Sequence, residues 1–306
     1  MKGRLDLSVA IPFIIFTGIW GSTWIVIRDQ LGEVPPQWSV AYRFVIAAAA
    51  MMLLARFKDR SLKLGRTGIA VATVLGFLQF CINFNAVYLA EQRITSGVVA
   101  TFFALLLIPS TLLAWAFLGQ RPSERFLWSS AVAILGVGML FSHELRDNAA
   151  RLDKILLGLA FTLGGMIAAA AANVLQARPE VRHIPLFTLL AWSMTVGAVL
   201  NLAIAVAVAG SPTIELRAGY WLGLFYLALP ASVLTFTLYY PVVRKIGPAN
   251  AAYSSVLVPI IAMGFSTWLE GYRWTPLAAA GAILALAGMV GALSRPRSVV
   301  AAPDAA

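Results

Sequence analysis

The chain has 306 residues, of which 60% are hydrophobic and 12% charged, against roughly 25% charged in a soluble domain. That composition excludes a water-soluble globular protein, and the single cysteine, Cys81, excludes an internal disulfide or a cysteine metal cluster. The formal net charge of +10 would suit nucleic acid only if it formed one patch, and it is instead scattered between apolar stretches.

Ten such stretches are expected as helices, at about 8–27, 37–55, 67–90, 94–118, 127–142, 155–177, 186–209, 219–242, 247–269 and 276–293. Each is near the roughly 20 residues that cross a ~30 Å hydrocarbon layer. The first follows Lys2 and Arg4, as a signal peptide would, but it is long and no small-residue cleavage site follows it. It reads as a retained helix. Pro35, Pro36, Pro122, Pro185, Pro212 and Pro276 fall in connections, where a missing N–H costs least. Pro109 and Pro259 fall inside helices, where neighbouring helices and hydroxyls can satisfy the freed carbonyl.

Several helices carry residues suited to a solute. In the first, Trp20 and Trp24 share a face. Trp24, near the helix end, suits a membrane-interface anchor as well as a cavity wall. Trp20 lies deeper, beside Gly21, and reads as cavity wall. The second helix holds Arg43, the one charge well inside an apolar stretch. Membrane arginines tend to face a cavity or a partner, although this one could also snorkel outward. A gating or structural ion pair with Glu91 or Glu270 is favoured here over substrate contact. The third helix carries Gln79, Asn83, Asn85 and Tyr88, which point to a polar cavity wall or to hydrogen bonds between helices, since bare carboxamides are costly in hydrocarbon. The fourth carries Phe103. The sixth reads Gly164-Gly165-Met166-Ile167 and then Ala168 to Ala172. These small residues either leave room beside an indole or only let helices pack closely. The eighth offers Thr235 and Tyr239, and the ninth Tyr253, Ser254 and Ser255. Tyr239 and Tyr253 join a ring to a hydroxyl, which suits a ligand that is part ring and part polar; core packing is the plainer alternative.

The polar stretch from His143 to Lys154 divides the chain into two halves, taken as residues 1–146 and 147–306. Five helices per half is an odd number, so the second half enters the membrane from the opposite side, as in an inverted repeat. Aligning Pro109 with Pro259 also aligns Phe103 with Tyr253, Trp115 with Phe265 and Gln120 with Glu270. The expected fold is an all-α membrane protein, ten transmembrane helices as two inverted five-helix repeats. With the N-terminus in the cytoplasm, the inner segments hold fifteen basic and five acidic residues, and the outer ones seven and eight. That is the positive-inside pattern, and it places both termini in the cytoplasm of a bacterial inner membrane.

Trp20-Gly21-Ser22-Thr23, then Pro35 and Arg43, together with Leu107-Ile108-Pro109 to Leu118-Gly119-Gln120 and Val258-Pro259 to Leu269-Glu270, make the chain resemble the drug/metabolite transporter superfamily and its EamA-type ten-helix members. The resemblance covers nearly the whole chain. It departs at Gln120, where family members usually carry Glu. It implies an exporter of amino acids or related metabolites, with a cavity lined mainly by helices 1, 3, 4, 6, 8 and 9 and with helices 5 and 10 peripheral.

No carboxylate lies near the middle of an apolar stretch, which argues against proton-for-cation exchange of the small multidrug kind. No deep lysine would hold a nucleotide sugar. No His-Glu-x-x-His, intramembrane aspartate pair or Gly-x-Ser-x-Gly marks a membrane enzyme, so an enzyme is a remote alternative. The expectation is export of an aromatic or hydrophobic amino acid by alternating access, with Trp20, Gln79, Asn83, Tyr88, Phe103, Tyr239, Tyr253 and Ser254 at the substrate. A broad drug or cation exporter is the alternative. No cofactor, metal or nucleic acid is expected; the partners are a small-molecule substrate and the lipid bilayer, and the protein is a monomer or weak homodimer.

Overall fold

The computed structural model describes residues 7–59, 61–147, 152–246, 251 and 254–293. Ten long helices form the bundle. They are α1 (Leu7–Asp29), α2 (Pro36–Lys58), α3 (Arg66–Glu91), α4 (Ser96–Leu118), α5 (Glu124–Asp147), α6 (Leu152–Ala177), α7 (Leu186–Ala209), α8 (Ala218–Ile246), α9 (Ser254–Leu269) and α10 (Pro276–Leu293). By length and apolarity, α1–α4 and α6–α8 can each cross a membrane. Among the described residues a short helix, Pro179–Arg182, stands apart from these ten. The expected helices sit where the apolar runs placed them, except that residues 247–250 and 252–253 of the ninth lie outside the described residues. The main difference is the polar stretch 143–154, read as a connection. Most of it is helix, because α5 runs on to Asp147 and α6 begins at Leu152. Charged residues at a helix end can stay helical in the headgroup layer, so hydropathy alone shortens the helix.

Two helices change pitch midway. α3 contains a π-helical stretch, Gly76–Asn83, and α8 another, Leu229–Leu234, with Pro230 at its start. Proline has no N–H to donate, and a widened turn accommodates the gap. Pro109 in α4 follows a 3-10 turn, Ala104–Leu106. Wider turns leave carbonyls and side chains free for neighbouring helices. The Phe80 carbonyl accepts from Asn201 Nδ2 at 2.9 Å, and Asn201 Oδ1 accepts from Asn85 Nδ2 at 2.7 Å. Asn85 is therefore tied to α7. Of the two readings open for it, the bond between helices is the one observed.

The packing pattern repeats when each helix is exchanged for the one five places on. α1 packs on α8 and α9, and α6 packs on α3 and α4; α2 meets α8 as α7 meets α3; α2–α7, α4–α9 and α5–α10 are self-paired. The two π stretches fall on α3 and α8, which are exchange partners. Prolines occupy matching places in α4 and α9. α5 and α10 pack chiefly on each other, at the margin. The chain is thus a ten-helix membrane protein of two five-helix repeats.

Candidate functional site

A cavity of ≈ 130 Å³ lies where α1, α2, α3, α4, α6, α8 and α9 converge. Trp20 and Tyr239 form one wall, with ring centroids 4.9 Å apart at 65°. Phe236 stands 5.5 Å from Trp20 and edge-on to Phe80 at 5.1 Å. Edge-to-face contacts of this kind contribute about 0.5–1.5 kcal/mol each beyond burial. The Trp20 Nε1 donates to the Ala231 carbonyl at 3.3 Å, a group inside the π stretch of α8. One turn further along α1, Trp24 also lines the cavity, 5.3 Å from Phe103.

The polar groups are few. Asn83, on the π stretch of α3, lines the cavity, and its Oδ1 has no hydrogen-bond partner among the described residues. The same holds for the Trp24 Nε1. Asn173 on α6 faces the Tyr239 hydroxyl. Gln79 and Ser254 complete the rim, the latter donating to the Ala251 carbonyl at 3.1 Å.

Arg43 is only 1% exposed and lines the same cavity. Its guanidinium lies over the Phe84 ring, 4.3 Å from the centroid, a cation–π contact. Its Nε donates to Ser232 Oγ at 3.1 Å, and Ser232 in turn donates to the Leu227 carbonyl across the π turn of α8. Its Nη1 has no hydrogen-bond partner among the described residues. The Tyr88 hydroxyl lies within hydrogen-bonding reach of the guanidinium and Glu91 within electrostatic reach, but among the described residues no carboxylate is ion-paired to it.

The structure therefore brings together Trp20, Gln79, Asn83, Phe103, Tyr239 and Ser254 with Arg43. Tyr88 stands behind the wall, fully buried, donating to Gln30 Oε1 at 3.0 Å. Tyr253 lies outside the described residues. Phe236, Phe84 and Asn173 line the cavity and were not singled out from the sequence. Asn173 follows the alanine run directly, and a carboxamide among small residues is a signal that could have found it. Ala169 lines the cavity, while a Cβ on Gly165 would stand 3.1 Å from that of Ala86, so the small residues of α6 serve both open readings.

Glu270 sits at one end of the bundle, away from the cavity. Its carboxylate pairs with Arg28 at 3.6 Å and accepts from Ser96 Oγ at 2.6 Å and from Ser266. Arg28 also donates to the Glu91 carbonyl. The Glu91 carboxylate is fully buried, and neither oxygen has a hydrogen-bond partner among the described residues. Just outside the membrane-spanning helices, Arg217 bonds Asp29 at 3.0 Å and Glu215 at 2.5 Å, and these bonds, Asp29 first, raise its pKa further above the ordinary arginine value. At the other end Arg244 donates to Gln176 Oε1 at 3.1 Å and to the Ile184 carbonyl at 3.3 Å, and the Asp59 carboxylate accepts from the Thr188 N–H at 2.7 Å. Polar ties thus flank the cavity on both sides.

The EamA-like transporter family matches the chain over residues 8–142 and again over 156–294. The uncharacterized transporter YoaV of Bacillus subtilis is 21% identical over 86% of this chain and 89% of its own. A probable amino-acid metabolite efflux pump of Escherichia coli K12 is 26% identical over 94% of both chains. The uncharacterized inner membrane transporter YedA of the same organism is 27% identical over 83% of this chain and 80% of its own. A solved crystal structure superposes with a TM-score of 0.63 at 17% identity, over 93% of this chain and 96% of the other, which bears on the fold alone.

Proposed function

The chain belongs to the EamA-like transporter family, and from that premise we propose that it exports amino acids with aromatic or hydrophobic side chains from the cytoplasm by alternating access of its two halves. The observation that carries the reading is the cavity: a ring-lined space of ≈ 130 Å³ with a few polar groups left unsatisfied. That is the usual composition of a small-molecule site. A cavity of about 150 Å³ takes a benzene ring, so the space is near the size of one ring, a whole amino acid needs it to widen somewhat, and a bulky drug needs it to widen far more. The broad cation exporter is disfavoured by Arg43, since a buried guanidinium repels a cationic guest. The two matches to one family support reading residues 1–146 and 147–306 as the rocking halves. The charge distribution supports an inner-membrane orientation with both termini, and the Arg244 end, in the cytoplasm.

Efflux from cells preloaded with phenylalanine tests this against a flat dication. Expression of the protein should speed phenylalanine loss, and excess dication outside or inside should leave that loss unchanged. Export of the dication alone would refute the amino-acid reading and leave the transporter assignment intact.

A further inference from the structure

Resting on the amino-acid reading, we infer that Arg43 is the recognition group for the substrate carboxylate and that Asn83 receives its ammonium. A guanidinium carries five N–H donors in a planar fork. In Arg43 the Nε donor is spent on Ser232, the Tyr88 hydroxyl lies within hydrogen-bonding reach of the guanidinium, and Nη1 has no partner among the described residues although the residue is 99% removed from solvent and lines the cavity. A buried cation without a hydrogen-bonded anion is costly. The Phe84 face offsets part of that cost. A carboxylate entering the cavity would offset more, one oxygen accepting a charge-assisted hydrogen bond from Nη1.

The other unsatisfied groups on the same cavity have the polarity a zwitterion needs. The Trp24 Nε1 is a donor, suited to a second carboxylate oxygen. The Asn83 Oδ1 is an acceptor, suited to an ammonium. The rings of Trp20 and Phe236 remain for the apolar side chain. Two donors for the acid, Arg43 Nη1 and Trp24 Nε1, and an acceptor for the amine, Asn83 Oδ1, occur together beside an aromatic slot, and none of the three atoms has a hydrogen-bond partner among the described residues.

Glu91 supplies the competing account. It lies within electrostatic reach of Arg43, and Arg43 could exist only to balance it. The two accounts part when both charges are removed. If Arg43 serves only to balance Glu91, then Arg43→Gln with Glu91→Gln restores the wild-type ligand preference. If Arg43 reads the substrate, the double variant loses that preference.

The measurement is isothermal titration calorimetry on the full-length protein in lipid nanodiscs. The probes are L-phenylalanine, phenethylamine, which lacks the carboxylate, and 3-phenylpropionate, which lacks the amine. Wild type should prefer phenylalanine to phenethylamine by on the order of 10- to 100-fold, the value of a hydrogen bond to a charged group. The double variant should bind the two within about threefold of each other, by losing affinity for phenylalanine alone. Arg43→Lys should keep part of the preference. Asn83→Leu should erase the preference for phenylalanine over 3-phenylpropionate. Equal binding of phenylalanine and phenethylamine by wild type overturns the inference while aromatic export stands, and needs no variant to fold. Retention of the preference by the double variant overturns it as well. If wild type binds none of the three probes, the substrate reading beneath it fails too.

Discussion

At the scale of single residues, the sequence held most of the cavity's chemistry but not its boundary. Trp20 and Asn83 were legible because an indole beside glycine and a carboxamide in hydrocarbon each demand a reason. Tyr88 carried the same signal and turned out to bond Gln30 behind the wall, because rotation about a helix axis by a few tens of degrees cannot be read where π turns interrupt the period. Phe236 was illegible for a simpler reason: phenylalanine in an apolar helix is the expected residue. Trp20 makes the sharpest test. Trp20→Ala removes edge contacts to Tyr239 and Phe236 and the bond to the Ala231 carbonyl. Those contacts belong to the protein; what the substrate would lose is one contact of its own ring with the indole, and about 0.5–1.5 kcal/mol predicts a loss of phenylalanine efflux of a few-fold up to about tenfold. Threonine efflux, normalised to protein in the membrane, should change far less, because its side chain does not reach the slot. A uniform fall in both substrates, or a fall in protein abundance alone, would mark Trp20 as packing.

Among the elements, the contrast is between pairs that hold the bundle and pairs that enclose the site. α5 and α10 meet through small residues. A Cβ on Gly281 would stand 2.7 Å from the Leu140 backbone nitrogen, and one on Gly136 or Gly288 would collide with the backbone of Ala285 or Ala133. Such close approach lets dispersion work in a medium where the hydrophobic effect between helices is absent. α3 crosses α7 equally closely, where a Cβ on Gly76 would lie 2.6 Å from the Ser193 carbonyl. All four glycines sit inside helices and none has a positive φ, so what they provide is closeness and not turn geometry. Gly136→Val should therefore lower the melting temperature in detergent by a few degrees, from about 1–3 kcal/mol of overpacking, and leave relative affinities for phenylalanine and threonine unaltered. Gly76→Ala should do both: destabilise, and shift substrate preference, because the π stretch it opens carries Gln79 and Asn83. Fluorescence-monitored unfolding and competition efflux separate the two variants. Equal effects on preference would detach the π turn from the site. Neither π stretch was legible beforehand, since a widened turn conserves composition and changes only register.

For the whole molecule, the odd helix count and the proline match made the repeat legible, and the exchange pattern of helix contacts supplies the geometric basis for it. Less visible was how the repeat is broken at its ends. Gln120 and Glu270 align between halves, yet Gln120 is exposed while Glu270 joins α9 to α1 through Arg28 and to α4 through Ser96. A carboxylate with an arginine and two serines around it is a tie that a carboxamide in the other half cannot copy. One end of the cavity is thus held by charge, and the other by rings and by Arg244. In an alternating-access cycle the charged tie must break each time its end opens. Glu270→Gln removes the ion pair but keeps an acceptor for the serines, so the end should open more often without the helices separating. Thr23 lines the cavity on that side and is a place for a reporter thiol after Cys81→Ser. In intact cells, an impermeant maleimide should label Thr23→Cys slowly in the otherwise unaltered protein and several-fold faster when Glu270→Gln is added, while phenylalanine present at saturation slows both. Because the reagent stays outside, faster labelling also requires that the Glu270 end face outward, as the charge distribution implies. Unchanged labelling would mean that the Arg28–Glu270 pair is a fixed strut and that closure of this end rests on the helix packing of α1 against α9.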